Sequence, residues 1–241
     1  MNKNRITIEV WSDFMCPFCY MGKRKLDAGL AKFEHKDNVD IIWKTYQLAP
    51  NFVTDSNMNM SQFVAKRRDI PLSEAIEMNK NVEIKAKEVG LTYNMDKTVA
   101  ANTFKAHQLS HFAKQYGKQT EAEEIIFRSF FTDGKNIDDE SVLFELCEEL
   151  ELDVDELKSV FTNNKFADDI EFDGKLARDM GIKMIPCFVI NGDKSISGTY
   201  DSETFYEALN EVYFGKEPAK LYFTPADESS GESCTIDGHC S

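Results

Sequence analysis

Two cysteines separated by two residues, Cys16 and Cys19 in the run DFMCPFCY, are the residues best suited to chemistry. On one helical turn such a pair closes a disulfide with little backbone movement, so the reaction they suggest is thiol–disulfide exchange. Their setting supports it. Residues Ile6 to Trp11 alternate and are rich in β-branched side chains, which predicts a strand. Pro17 suits the first position of a helix, and FCYMGKRKLDAGLAKF continues with helical spacing. Cys16 is thus expected at a helix N-terminus, where unpaired N–H groups and a partial positive charge favour a thiolate. Cysteines so placed ionise at roughly pH 3.5–7.5. Cys16, nearest the helix end, is expected to attack, and Cys19, one turn inside, to resolve the mixed disulfide. The competing reading is half of a structural zinc site. Its other ligands would have to be Cys234, His239 and Cys240, brought back across the chain. The working expectation is no metal.

The elements that must position this pair follow from periodicity. Val39 to Leu48 predicts a second strand, and strand–helix–strand at this length is a βαβ unit with parallel strands. From about Ser61 to Phe166 the pattern is helical almost throughout, with Gly90, Gly117 and Gly134 at expected helix ends and Asp139 as an N-cap. A helix from about Ile170 to Met180 ends at Gly181. IPCFVING then predicts a strand that turns at Asn191-Gly192-Asp193 into a second short strand, KSISG, before the amphipathic run DSETFYEALNEVYFG. From Lys216 the periodicity is lost, ADESSGES is small, polar and acidic, and a mobile tail is expected. The expected division is a first α/β part at 1–55, an inserted all-helical domain at 56–166, the second α/β part at 167–215 and a tail at 216–241.

The segments WSDFMCPFCYMGKRKL, NTFKAHQLSHFAKQYGKQ, EAEEIIFRSFFTDGKNI and GIKMIPCFVINGDKSISG resemble the FrnE-type branch of the DsbA family of thiol–disulfide oxidoreductases, from about Ile6 to Leu209. The resemblance implies an α/β thioredoxin-like fold with a large all-helical domain inserted after the βαβ unit. It implies a redox centre at Cys16 and Cys19 and a catalytic cis-proline at Ile185-Pro186, whose preceding backbone pairs with an extended substrate. It also places Pro17, Phe18, Ile185, Asn102 and His107 along a substrate groove. Two departures stand out. Cys187 follows the proline where an apolar residue is usual, and the dipeptide Pro17-Phe18 lacks the histidine of strongly oxidising relatives. A couple less oxidising than that of DsbA is therefore expected.

Other residues carry weaker signals. Cys234 and Cys240 form a CxxxxxC that reads as a second disulfide, either exchanging with the first pair or locking the tail, against an inert reduced pair or zinc or copper capture with His239. Cys147 falls at apolar helical spacing and Cys187 in a strand, so both are expected in the core, Cys187 near the active centre. His107 and His111 share a helix face without the glutamate of a zinc-protease motif. Lys66 to Arg68 read as a solvated basic face, and Phe127, Phe130 and Phe131 as a packing stripe. With 42 acidic against 28 basic residues and a net charge of -14, nucleic acid and anionic membranes are poor partners. The N-terminus shows no signal-peptide pattern, and a cytoplasmic location is expected. Expected partners are protein thiols or disulfides, or glutathione as a thiol substrate, with no cofactor; a homodimer is left open. Two other functions compete: a kappa-type glutathione transferase or 2-hydroxychromene-2-carboxylate isomerase, and a redox- or metal-sensing binding protein. The intact CxxC argues against the first.

Overall fold

The computed structural model describes residues 5–215 and 233–235. Strand β1 (Ile6–Ser12) leads through a short turn into helix α1 (Pro17–Lys32), and β2 (Val39–Thr45) pairs with β1 in parallel. Helices α2 (Met60–Arg68), α3 (Leu72–Glu88), α4 (Phe104–Lys114), α5 (Gln119–Phe127), α6 (Glu140–Glu149) and α7 (Val154–Asn163) follow. Helix α8 (Ala167–Asp179) leads to β3 (Met184–Ile185), β4 (Cys187–Ile190), β5 (Lys194–Ser197) and α9 (Ser202–Tyr213). The central sheet runs β2-β1-β4-β5, with β4 antiparallel to β1 and β5 antiparallel to β4.

Strand alternation divides the core in two. Ile6, Ile8 and Val10 of β1, with Phe188 and Ile190 of β4, pack against Leu26 of α1 and Phe205 and Leu209 of α9. Trp11, Cys187 and Val189 point the other way, into a core shared with the helical block. Trp11 Nε1 there donates to the Asp173 carbonyl of α8 at 3.1 Å. Helix α1 reaches α9 through Gly29, where an added Cβ would lie 2.7 Å from Phe205 Cβ and 2.8 Å from the Ser202 carbonyl.

Strand β2 ends three residues before the expected Leu48. The Leu48 amide donates to Asp13 Oδ2 at 2.7 Å, so a side chain replaces the ladder and turns the chain away. The open edge of β2 is also closed by a side chain. Gln119 accepts from the Trp43 amide at 3.2 Å and donates to the Trp43 carbonyl at 3.1 Å, imitating a neighbouring strand. Gly90, Gly117, Gly134 and Gly181 all have positive φ, as their positions at helix ends require. Asn191 and Gly192, at φ 50° and 77°, make the tight turn between β4 and β5.

Part of the expected mobile tail departs from that expectation. Strand β6 (Cys234–Thr235) pairs antiparallel with β3, Met184 opposite Thr235 and Ile185 opposite Cys234. Main-chain hydrogen bonding to an exposed edge holds it, a force that polar composition does not reveal.

Glu123 of α5 is buried, and its carboxylate accepts from Ser110 Oγ at 2.6 Å. Burial pushes its pKa from 4.5 up to about 8. His111 of α4 is shifted the opposite way, from 6.5 down to about 4, again through burial. Between pH 4.5 and 8 the folded state holds the Glu123 proton that the unfolded chain has released, so this group's contribution falls as pH rises. Between pH 4 and 6.5 the folded state binds fewer protons at His111, and that contribution falls as pH drops. A Glu123→Gln variant removes the first effect. Its stability gain over the parent, read as a shift in denaturant midpoint, should be roughly 2–5 kcal/mol greater at pH 8 than at pH 4.5. A gain independent of pH would contradict this assignment.

Candidate active site

Cys16 is the N-cap residue of α1, in extended backbone conformation, with Pro17 following as the first helical residue. The first turn of α1 carries no acidic side chain that would oppose an anionic sulfur. Cys16 and Cys19 are free, and the Cys19 amide donates to the Cys16 carbonyl at 3.1 Å. Both side chains are buried. Burial, with the neighbouring Cys16, raises the Cys19 thiol well above its ordinary value, and a hydrogen bond from the Asp13 backbone acts in the opposite direction. The two sulfurs are therefore inequivalent. One sits at the helix end, and the other is held protonated inside.

The Ile185–Pro186 peptide bond is cis. The Cys16 sulfur lies 3.9 Å from the Ile185 carbonyl oxygen, so the loop from β3 to β4 closes directly on the helix terminus. A Cβ added at Gly22, one turn beyond Cys19, would stand 2.8 Å from Pro186 Cγ and 3.1 Å from Phe188 Cζ. The dithiol and the proline loop are thus brought together by a helix face without a side chain.

The helical block supports the first turn of α1 from the other side. Tyr93 Oη donates to the Pro17 carbonyl at 2.7 Å. Its ring stacks with those of Tyr20 and Phe131. Phe14 packs against Phe127 and His107. The turn before Cys16 is tied by Asp13, whose Oδ1 lies 3.2 Å from His107 Nε2 and 3.4 Å from the Met15 amide while Oδ2 takes the Leu48 amide. Beside this centre lies a cavity of about 220 Å³. Met15, Pro17, Phe18, Met60, Met78 and Met95 line it, together with Arg67, Arg68, Lys85 and Cys234.

The expected site residues divide accordingly. Cys16, Cys19, Pro17, Phe18, Ile185 and Pro186 come together. Asn102 does not join them, because its side chain donates to the Pro50 and Phe52 carbonyls and accepts from the Phe104 amide, bracing a loop. His107 is buried behind the redox centre on Asp13 rather than facing a groove. His111 likewise points inward, 3.1 Å from Thr45 Oγ1 and 3.5 Å from Asp173 Oδ2. Burial pushes Cys147 and Cys187 up to about 11, so neither is poised to react. Ser197 Oγ lies 3.4 Å from the Cys187 sulfur.

Cys234, expected on an exposed polar stretch, is buried and disulfide-bonded. Cys240 and His239 lie outside the described residues. Arg67 and Arg68 do not lie on a solvated face: Arg67 donates to the Leu48 carbonyl at 2.8 Å, and Arg68 Nη1 lies 3.7 Å from Met78 Sδ. Sequence reading missed Asp13 and Tyr93. An acidic residue inside the apolar run WSDFMC was the available signal for Asp13; Tyr93 carried none, since its partner is a distant backbone carbonyl. Among the described residues, no cluster of three or more His, Cys, Asp and Glu side chains is placed to hold a metal. No described helix is long and apolar enough to cross a membrane.

Residues 7–210, the stretch that holds both the dithiol and the cis-proline loop, match the model of the DSBA-like thioredoxin domain. The chain belongs to that family. The uncharacterized protein YwbO of Bacillus subtilis strain 168 is 29% identical over 210 residues, covering 86% of this chain and 96% of YwbO. The crystal structure of the probable DsbA oxidoreductase SCO1869 from Streptomyces coelicolor superposes with a TM-score of 0.80 at 27% identity, covering 98% of this chain and 99% of the other. The cytosolic disulfide reductase DsbM of Pseudomonas aeruginosa shares the fold at 15% identity, with a TM-score of 0.58 over 87% of this chain and 96% of DsbM. Membership places the protein among DsbA-like oxidoreductases with a thioredoxin fold.

The contact between Gly22 and the proline loop yields a direct test. Gly22→Ala should displace Pro186 from the dithiol, lower disulfide-exchange turnover and cost about 1–3 kcal/mol of stability through overpacking. A variant with parental turnover and melting temperature would show that the loop need not sit where it does.

Proposed function

We propose that the protein exchanges disulfides with protein or low-molecular-weight thiol substrates through Cys16 and Cys19, as a cytoplasmic enzyme without a resident cofactor. The observation that carries this reading is a pair of free thiols at one helix N-terminus, one of them 3.9 Å from the carbonyl preceding Pro186. The Cys16 thiolate attacks one sulfur of a substrate disulfide. That S–S bond breaks, the departing sulfur leaves as a thiolate that takes up a proton, and Cys16 is joined to the substrate. Cys19 then loses its proton and attacks the Cys16 sulfur, releasing the second substrate thiol. The substrate gains two electrons and the enzyme holds them no longer, its sulfurs now bonded to each other. The reverse sequence oxidises a dithiol.

The inequivalence of the sulfurs supports this division of labour. A buried Cys19 that is hard to ionise does not compete for substrate, and it acts only on the sulfur bonded beside it. Glutathione is a candidate thiol partner, in keeping with the DsbM structure that holds GSH. Cys234, already in a disulfide, is proposed with Cys240 as a second redox couple in the tail. The pairing of Cys16 with Cys19 favours this reading over a transferase, which needs one activated group and no resolving thiol.

Cys16→Ser should abolish insulin reduction. Cys19→Ser should still capture substrate as a mixed disulfide, visible as an added mass, while turnover ceases. Turnover retained in the Cys16→Ser protein would remove that residue from the mechanism.

A further inference from the structure

Strand β1 ends beside the redox centre on a hydroxyl that pairs with nothing. Ser12 is its last residue, and the backbone there is fixed. It stands opposite Thr45 in the parallel ladder, and its carbonyl accepts from the Tyr46 amide at 2.9 Å. The residue has 2% exposure, and Oγ has no hydrogen-bond partner. A buried hydroxyl in that condition destabilises the fold, and an alanine would occupy the space without the cost.

The register of strand and helix says what lies next to it. Alternation puts Ser12 on the face of β1 that carries Ile6, Ile8 and Val10. That face packs on Leu26 of α1. Cys19 comes seven residues before Leu26, about two turns, and so lies on the same side of the helix. Because the chain doubles back between β1 and α1, the end of the strand meets the first turns of the helix. Ser12 therefore falls beside Cys19, whose own exposure is 1%. Burial, with Cys16, raises the Cys19 thiol, while hydrogen bonds from the Asp13 backbone and the Ser12 side chain act the other way. The hydroxyl thus has a role toward a charged sulfur that it lacks in the resting dithiol.

We infer that Ser12 is a catalytic hydrogen-bond donor, its hydroxyl held in reserve for the thiolate of Cys19. This rests on the reading of Cys16 and Cys19 as an exchanging pair. When a thiolate attacks Cys16 of the oxidised protein, a bond forms between those two sulfurs, the Cys16–Cys19 bond breaks, and its electron pair goes to Cys19. Cys19 then takes up a proton. In the reverse direction Cys19 gives its proton to solvent and attacks the Cys16 sulfur, and the substrate sulfur departs with the electron pair. Both directions pass through a state in which negative charge grows on a sulfur shut away from water. Ser12 supplies the hydrogen bond that water cannot, from a strand that holds it in place beforehand, and keeps its own proton throughout. A donor unpaired in the ground state and paired only as charge develops lowers the barrier without stabilising the resting protein.

The test compares the full-length parent with Ser12→Ala and Ser12→Thr. In one assay dithiothreitol reduces the oxidised protein, and the Cys16–Cys19 bond is followed by mass-tagged alkylation. In the other the mixed disulfide on Cys16 decays by attack of Cys19. Loss of one donor to a charged sulfur should slow Ser12→Ala about tenfold to a hundredfold in both assays at neutral pH. Ser12→Thr, which keeps the hydroxyl, should recover most of that loss. The equilibrium of the couple against glutathione should stay as in the parent, since neither the disulfide nor the protonated thiol uses the hydroxyl. Ser12→Ala should also be at least as stable as the parent, and its Cys16 should be alkylated at the parental rate. A merely structural Ser12 predicts the opposite, slower exchange together with lower stability, and that result overturns the inference. Parental rates in Ser12→Ala overturn it too. A parent that turns over no disulfide substrate ends the enzymatic reading, while reduction by dithiothreitol still decides the role of Ser12 at the Cys19 sulfur.

Discussion

Gly22 has no side chain, and the ring of Pro186 fills the space a Cβ would take. That single contact sets how closely a helix carrying two cysteines approaches the loop joining β3 to β4, and the rest of the molecule is arranged around it. From α1 the contact is maintained by packing on α9 through Gly29, which closes on Phe205 and the Ser202 carbonyl. From the loop it is maintained by β4, which is hydrogen-bonded into the sheet between β1 and β5. Strand β1 connects the two, since it leads into the turn bearing Cys16 and pairs with β4 along Ile8 to Trp11. A rigid sheet thus places sulfur and carbonyl together at one end of two adjacent strands.

The inserted helices close the site from the side the sheet leaves open. Tyr93 reaches the Pro17 carbonyl, Phe127 and Phe131 pack behind it, and α2 and α3 bring methionines and cations alongside the dithiol. The insertion therefore supplies a buried environment for Cys19 and a cavity of defined character, neither of which the βαβ unit could make alone. Two buried carboxylates here are matched locally. Asp13 serves three partners, and Asp173 accepts from Lys44 and from the Thr45 amide. An unmatched carboxylate in such a place would cost several kcal/mol.

Much of this was readable in advance where a local rule applies. The strand before Cys16, the helix after Pro17, the turn at Asn191-Gly192 and the positive-φ glycines at helix ends each depend on neighbours within a few residues. Reading failed where partners are distant. Asn102 sits beside a helix start on paper, yet its side chain braces a loop some fifty residues earlier in the chain. Lys66 to Arg68 look like a solvated face because local charge is all the sequence shows, and only the approach of α3 turns Arg67 and Arg68 toward a cavity. Composition places Cys234 in a mobile stretch, because its neighbours are small and polar. Its burial comes from pairing with an edge almost fifty residues away, which composition does not encode.

The amino-acid sequence by itself determined the dithiol, its place at a helix N-terminus after a strand, and the order of elements that builds a thioredoxin fold around a helical insertion. Spacing and periodicity act over one or two turns, and nothing far away is needed to read them. The tertiary structure alone decided which thiols are inert, which charges line the cavity, and that the tail lies across the strand touching Cys16. Burial and edge pairing are properties of surfaces that meet in space, and a linear chain does not state which of its surfaces will meet.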